Sequence, residues 1–380
     1  MSSIQAIGNL LAIIFLVLVG GAVSSAGETA QYSNEVFSTE VVADLDEPWA
    51  MAVMSDGRLL VTEKAGQLKL VTPDGSVGEI AGIPEVSYGG QGGLGDVVLA
   101  PDFDTSGTVY LSYVESDGDN SGAVVSRGRL VLADDGGELQ QTEVIWRQTP
   151  KVSGEGHYGH RLAFDPEGKL WISSGDRQKF EPAQDMEGNL GKILRLNPDG
   201  TVPADNPYAE RGGVTAQIWS SGHRNPLGLA FDSKGQLWVA EMGPAGGDEL
   251  NLVRRGANYG YPIVSDGDHY SGQEIPDHAT APQFDAPAIF WTPVISPSSL
   301  MFYSGERFPQ WQGNALIGGL SAEGLVRIEF DGESAKEAER YPLDARIRSV
   351  AQAADGTVWV LEDEKRGSEG RLLRLQPVSN

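Results

Sequence analysis

Beyond about residue 30, no stretch of the chain sustains a helical apolar period. Short alternating runs rich in Val, Ile, Leu, Trp and Tyr recur instead between clusters of Gly, Asp and Pro. Apolar residues at every second position place one face of a strand against a core, and the intervening clusters supply turns. The pattern predicts a chain that is nearly all β.

The runs share a unit: a turn ending in Gly, one variable residue, then an apolar strand. Its six copies are Gly57 before Leu59-Leu60-Val61, Gly107 before Val109-Tyr110-Leu111, Gly168 before Leu170-Trp171-Ile172, Gly235 before Leu237-Trp238-Val239, Gly313 before Ala315-Leu316-Ile317 and Gly356 before Val358-Trp359-Val360. A hairpin turn that requires positive φ explains the glycine. The copies recur at roughly 43 to 78 residues, which suits four-stranded blades with loop insertions. The predicted fold is therefore an all-β, six-bladed β-propeller of four-stranded antiparallel blades, and a pair of β-sandwiches is the alternative.

If the repeats are equivalent, residues at like offsets before the repeat glycine share a level in the fold. His157 to Arg161 stand eleven to seven residues before Gly168, His223, Arg224 and Asn225 twelve to ten before Gly235, and Arg346 and Arg348 ten and eight before Gly356. The strand preceding the hairpin is expected to be innermost, so these groups should meet at one mouth of the central channel. Any one arginine or histidine could be a salt-bridged or hydrogen-bonded structural group. Their shared offset points to a cationic site for an anionic ligand. The turn at Gly243-Pro244 exposes carbonyl oxygens, which are suitable ligands for Ca²⁺.

The N-terminus differs from the rest. Leu10 to Val19 is almost wholly aliphatic, and small residues follow up to Ala26. That layout reads as a secretory signal peptide over residues 1–26, although Lys and Arg are absent before the apolar run. A membrane anchor is the alternative, but the run is short and broken by Gly20 and Gly21. The expected organisation is the signal, an N-terminal extension over 27–40 and a single propeller domain over 41–380. A periplasmic or secreted protein with no membrane span in the mature chain follows from it.

Composition narrows the partners. A net charge of −25 opposes binding to nucleic acid or to an anionic membrane. Cysteine is absent, so packing replaces any disulfide framework.

Several segments carry a resemblance: Gly90-Gln91-Gly92-Gly93-Leu94, His157-Tyr158-Gly159-His160-Arg161-Leu162, Gly222-His223-Arg224-Asn225-Pro226-Leu227, Glu241-Met242-Gly243-Pro244 with Asp248-Glu249-Leu250-Asn251, and Trp291-Thr292-Pro293 with Pro297-Ser298-Ser299. From about Asp46 to Leu375 the chain resembles the soluble glucose and aldose sugar dehydrogenases that use pyrroloquinoline quinone (PQQ). The resemblance implies that His157 is the general base and that Arg224 and Asn225 contact the quinone oxygens and the reacting hydroxyl. Arg346 and Arg348 would hold the cofactor's carboxylates, and Met242 would also lie against the cofactor. Gly243 and Pro244 would offer carbonyls to Ca²⁺, and Gln91 would bind sugar or cofactor at the rim. It further implies an aldose substrate oxidised to its lactone and an electron acceptor that the residues do not identify. The chain departs from the family at Leu320-Ser321-Ala322-Glu323, where members often carry a lysine, and at Met242, where glutamine is known. A glycan- or protein-binding propeller and a calcium-dependent lactonase remain competing functions.

Overall fold

The computed structural model describes residues 34–378. The expected signal peptide lies outside them, as does the start of the expected extension. Among the described residues, no helix is long and apolar enough to cross a membrane.

The alternating runs become antiparallel strands, and the repeat becomes a repeated pattern of burial. Pro48–Val53, Leu94–Leu99, Gly159–Phe164, Pro226–Phe231 and Pro297–Phe302 each have four buried residues followed by two half-buried ones. These five and the sixth first strand, Ile347–Gln352, are each followed by a hairpin whose glycine has positive φ: 88° at Gly57, 67° at Gly107, 77° at Gly168, 76° at Gly235, 73° at Gly313 and 83° at Gly356. An L side chain there would be strained, which explains the glycine in every copy. The strands after the hairpin include Leu59–Glu63, Leu170–Ser174, Leu237–Glu241, Ala315–Gly319 and Val358–Glu362, buried at every residue. Apolar side chains on both faces of these strands fill the space between neighbouring sheets.

Four sheets have four strands each. A fifth, eight-stranded sheet consists of two four-stranded runs joined where Glu79–Ala81 pairs in parallel with Gly136–Glu138. The first strands pack side by side in a closed ring: Pro48–Val53, Leu94–Leu99, Gly159–Phe164, Pro226–Phe231, Pro297–Phe302 and Ile347–Gln352, with the last against the first. The ends of the described chain complete one sheet together, because Phe37–Asp44 pairs antiparallel with Arg371–Pro377. Residues 37–40 of the expected extension therefore belong to a strand. Phe37 is fully buried there, edge-on to Trp311 and Tyr341.

Candidate active site

The predicted residues gather where the ring strands begin. His157 lies just before Gly159–Phe164 with φ 51°. The chain returns beside it at Gly175, where an added Cβ would stand 2.1 Å from the His157 carbonyl oxygen. That close approach sets the fully buried Asp176 against the imidazole, with Oδ1 2.7 Å from Nδ1. The His157 backbone N–H donates to Gln91 Oε1 at 2.8 Å. Arg177 is buried behind the pair, stacked 3.8 Å over Tyr158 and donating to the carbonyls of Ser121, Gly154 and Gly156. Burial pushes the His157 pKa below its ordinary value, against the Asp176 hydrogen bond, which raises it. The ring is thus neutral near pH 7, with Nδ1–H given to Asp176 and Nε2 available to accept a proton.

Arg224 and Asn225 are placed by the fourth sheet. Glu241, at the end of Leu237–Glu241, accepts the Arg224 backbone N–H at 2.7 Å and also bonds His223 Nδ1 and Asn251 Nδ2. The Arg224 guanidinium donates through Nη1 to the carbonyls of Met242 and Gly243. Its Nε and the Oδ1 of Asn225 are buried with no hydrogen-bond partner among the described residues. Unsatisfied buried groups of this kind are costly unless a ligand meets them. Asp176 N–H donates to the Arg224 carbonyl at 2.8 Å, which ties the His157 and Arg224 segments together.

A cavity of about 250 Å³ opens here. Gln91, Asn225, Met242, Arg346 and Arg348 all line it, and His157 stands beside it through Gln91. Its lining also includes Lys64, Lys365 and Arg366, and, among the described residues, no Asp or Glu. Arg346 and Arg348 share Asp363, at 2.9 and 2.8 Å. Burial alone would raise the Asp363 pKa, but the two guanidiniums outweigh it and hold it below the usual carboxylate range.

The other offset-matched groups are structural. His160 also lines the cavity, but its ring bonds Ser112 Oγ at 2.8 Å and stacks on Trp49, and burial drives its pKa down to about 3. Arg161 turns into the channel toward Asp96 and the carbonyls of Leu227, Ser298 and Arg348. His223 is enclosed between Ser220 and Glu241.

At the turn, an added Cβ on Gly243 would stand 2.1 Å from the Gly247 carbonyl oxygen, and Gly243 N–H donates to Asp248 Oδ1 at 2.8 Å. The Gly243 carbonyl already accepts from Arg224, so this turn alone, with neutral donors, is a weak cation site. Beyond it, Glu249, Asp266 and His278 place ligand atoms within 4.8 Å of one another.

Sequence reasoning missed Asp176, Glu241, Lys64, Lys365 and Arg366. One signal was present: Glu63, Glu241 and Glu362 each stand six residues after a repeat glycine, and each is buried. The loop at Leu320 to Glu323 brings Leu320 to the cavity, while Ser321 Oγ bonds Ser296 Oγ at 2.7 Å.

Comparison with known proteins adds independent evidence. The family model described as Glucose / Sorbosone dehydrogenase matches residues 45–374. Aldose sugar dehydrogenase YliI of Escherichia coli K12 is 39% identical over 349 residues, covering 90% of this chain and 93% of that protein. The crystal structure of the soluble aldose sugar dehydrogenase from Escherichia coli in the apo-form superposes with a TM-score of 0.84 at 38% identity, covering 90% of this chain and all of that one. The PQQ-bound form of aldose sugar dehydrogenase from Streptomyces coelicolor gives 0.73 at 28% identity, covering 91% and 99%.

Proposed function

The chain belongs to the glucose and sorbosone dehydrogenase family, and from that premise we propose that it is a six-bladed quinoprotein that oxidises the anomeric hydroxyl of aldoses to lactones. The observation that carries this reading is the acid-free cationic cavity beside the His157–Asp176 pair, in a chain whose net charge is −25. The ring of six first strands supports the blade count.

The residues fit PQQ, a planar molecule with three carboxylates. Arg346 and Arg348 would take carboxylates, and Met242 and Asn225 would lie against the ring system, where the partnerless Asn225 Oδ1 and Arg224 Nε await polar atoms. Gly243 and Pro244 would offer backbone carbonyls to a Ca²⁺ bound with the cofactor. Bound PQQ would supply the two-electron acceptor for the hydride leaving the sugar C1, with Ca²⁺ as its electrophile.

The chain's own contribution begins with His157. Asp176 fixes the tautomer, so Nε2 takes the proton from the anomeric hydroxyl. Gln91 holds the His157 backbone and presents its amide at the rim. Arg224 stabilises negative charge developing on the reacting oxygen. The charged groups around the cavity hold Arg, Lys and His rather than the carboxylates that a calcium-dependent lactonase would gather. Export to the periplasm or medium through the 1–26 leader, and reoxidation by a separate electron acceptor, complete the reading.

Dye-linked aldose oxidation by the purified protein, with and without PQQ and Ca²⁺, tests it. Activity that requires reconstitution and disappears in His157→Ala is expected. A reconstituted wild type that binds aldoses without turnover would replace the enzyme reading with that of a binding propeller.

A further inference from the structure

Five cationic side chains line the cavity: Lys64, Arg346, Arg348, Lys365 and Arg366. Among the described residues, two carboxylates pair with them. Asp363 serves Arg346 and Arg348, while Glu47 Oε1 lies 3.0 Å from Lys365 and 3.7 Å from Lys64. Arg366 makes no ion pair among the described residues. Three positive charges are therefore left over in a strongly acidic protein. Lys64 is buried while Lys365 and Arg366 are exposed where they line the cavity, so the surplus is a positive field in a concave site, which favours a multiply charged anion.

The surplus is unevenly distributed. Arg346 and Arg348 are held by a carboxylate that both grip, whereas Lys64 and Lys365 are like charges sharing one acid. Lys64 follows the strand Leu59–Glu63, is only 5% exposed, donates to the Gly90 carbonyl at 3.1 Å and lies 5.5 Å over the Tyr88 ring. Lys365 and Arg366 come from the loop that joins Val358–Glu362 to Arg371–Pro377. Glu47 is itself held by the Tyr88 hydroxyl.

We propose that Lys64, Lys365 and Arg366 form a second anion clasp, distinct from the Arg346–Arg348 pair, that grips a carboxylate of the bound quinone. The inference rests on the cofactor reading above and assigns it three further residues. One consequence concerns protons. Burial, then the neighbouring Lys365, lowers the Lys64 pKa to about 8, with Glu47 opposing and Arg348 adding to the effect. An anion arriving beside Lys64 stabilises its charged form, so binding above about pH 8 takes up protons.

The test titrates the apo-protein with PQQ, following tryptophan fluorescence, since Trp49 lines the cavity. Lys64→Gln and Lys365→Ala are each expected to weaken binding about tenfold and to reduce its salt dependence. Lys64→Arg is expected to keep the affinity but lose most of the proton uptake, measured at pH 8.5 by calorimetry in buffers of different ionisation enthalpy. Circular dichroism and thermal melts establish that each variant is folded. Variants that bind within twofold of a wild type that itself binds PQQ would overturn the clasp alone. A folded wild type that does not bind PQQ would overturn the cofactor reading and the clasp with it.

Discussion

Replacing Asp176 by Asn tests the pair at the centre of the site. The side chain is fully buried, and its Oδ1 accepts both His157 Nδ1–H and the Gln178 backbone N–H at 3.0 Å, while Oδ2 takes only a long bond from Phe180 N–H at 3.4 Å. An amide with its oxygen at the Oδ1 position keeps both short bonds and loses only the long one. The imidazole tautomer should therefore survive, and what disappears is the negative charge. Opposite charges about 4 Å apart interact by about 4 kcal/mol at an effective dielectric near 20. With the proton about half transferred in the transition state, about 2 kcal/mol of that is lost, or about 30-fold in kcat. KM should change little. Because Asp176 raises the His157 pKa, its loss should also move the acid limb of the kcat profile to lower pH. Dye-linked oxidation by enzyme saturated with PQQ and Ca²⁺, measured from about pH 5 to 9, reads both effects. A kcat within twofold of wild type, or an acid limb displaced upward, would refute the argument that Asp176 sets the basicity of His157.

Two predictions concern stability. His160 is held neutral in the folded chain, with a pKa near 3, against an ordinary value of 6.5. The unfolded chain binds the extra proton first, so this contribution is complete above pH 6.5 and is lost as pH falls toward 3, by about 2 to 3 kcal/mol at pH 4.5. Urea unfolding at pH 7 and 4.5 should show this loss in the wild type and a smaller one in His160→Gln; equal slopes would refute it. Phe37→Ala removes a fully buried ring that packs against Trp311 and Tyr341 on the strand completing the last sheet, and should cost about 3 to 5 kcal/mol in urea unfolding. A loss below about 1 kcal/mol would mean that this closure contributes little to the fold.

The hairpin glycines and the strands after them were legible in the sequence because both are local. Positive φ favours glycine wherever the same turn recurs, and a strand buried on both faces is apolar over most of its length. Equal offsets then placed Asn225, Arg346 and Arg348 on one cavity with Gln91 and Met242, because equivalent positions in a ring of like strands share a level. The same argument could not separate His157 from His160. The two lie three residues apart and both have positive φ, and His160 itself lines the cavity, yet only His157 meets a carboxylate, Asp176, while His160 is packed between Trp49 and Tyr158.

The sequence by itself thus determined the β character, the repeat and the level at which the chemistry collects, since turn and strand preferences act over a few residues. Tertiary structure alone decided which charges face one another. Asp176 is 19 residues from His157, Lys64 shares Glu47 with a lysine from the opposite end of the chain, and Phe37–Asp44 finds its partner in Arg371–Pro377. Such pairings depend on how sheets close around an axis, and burial then fixes which ionisable groups are charged. Neither quantity has a local signature in the chain.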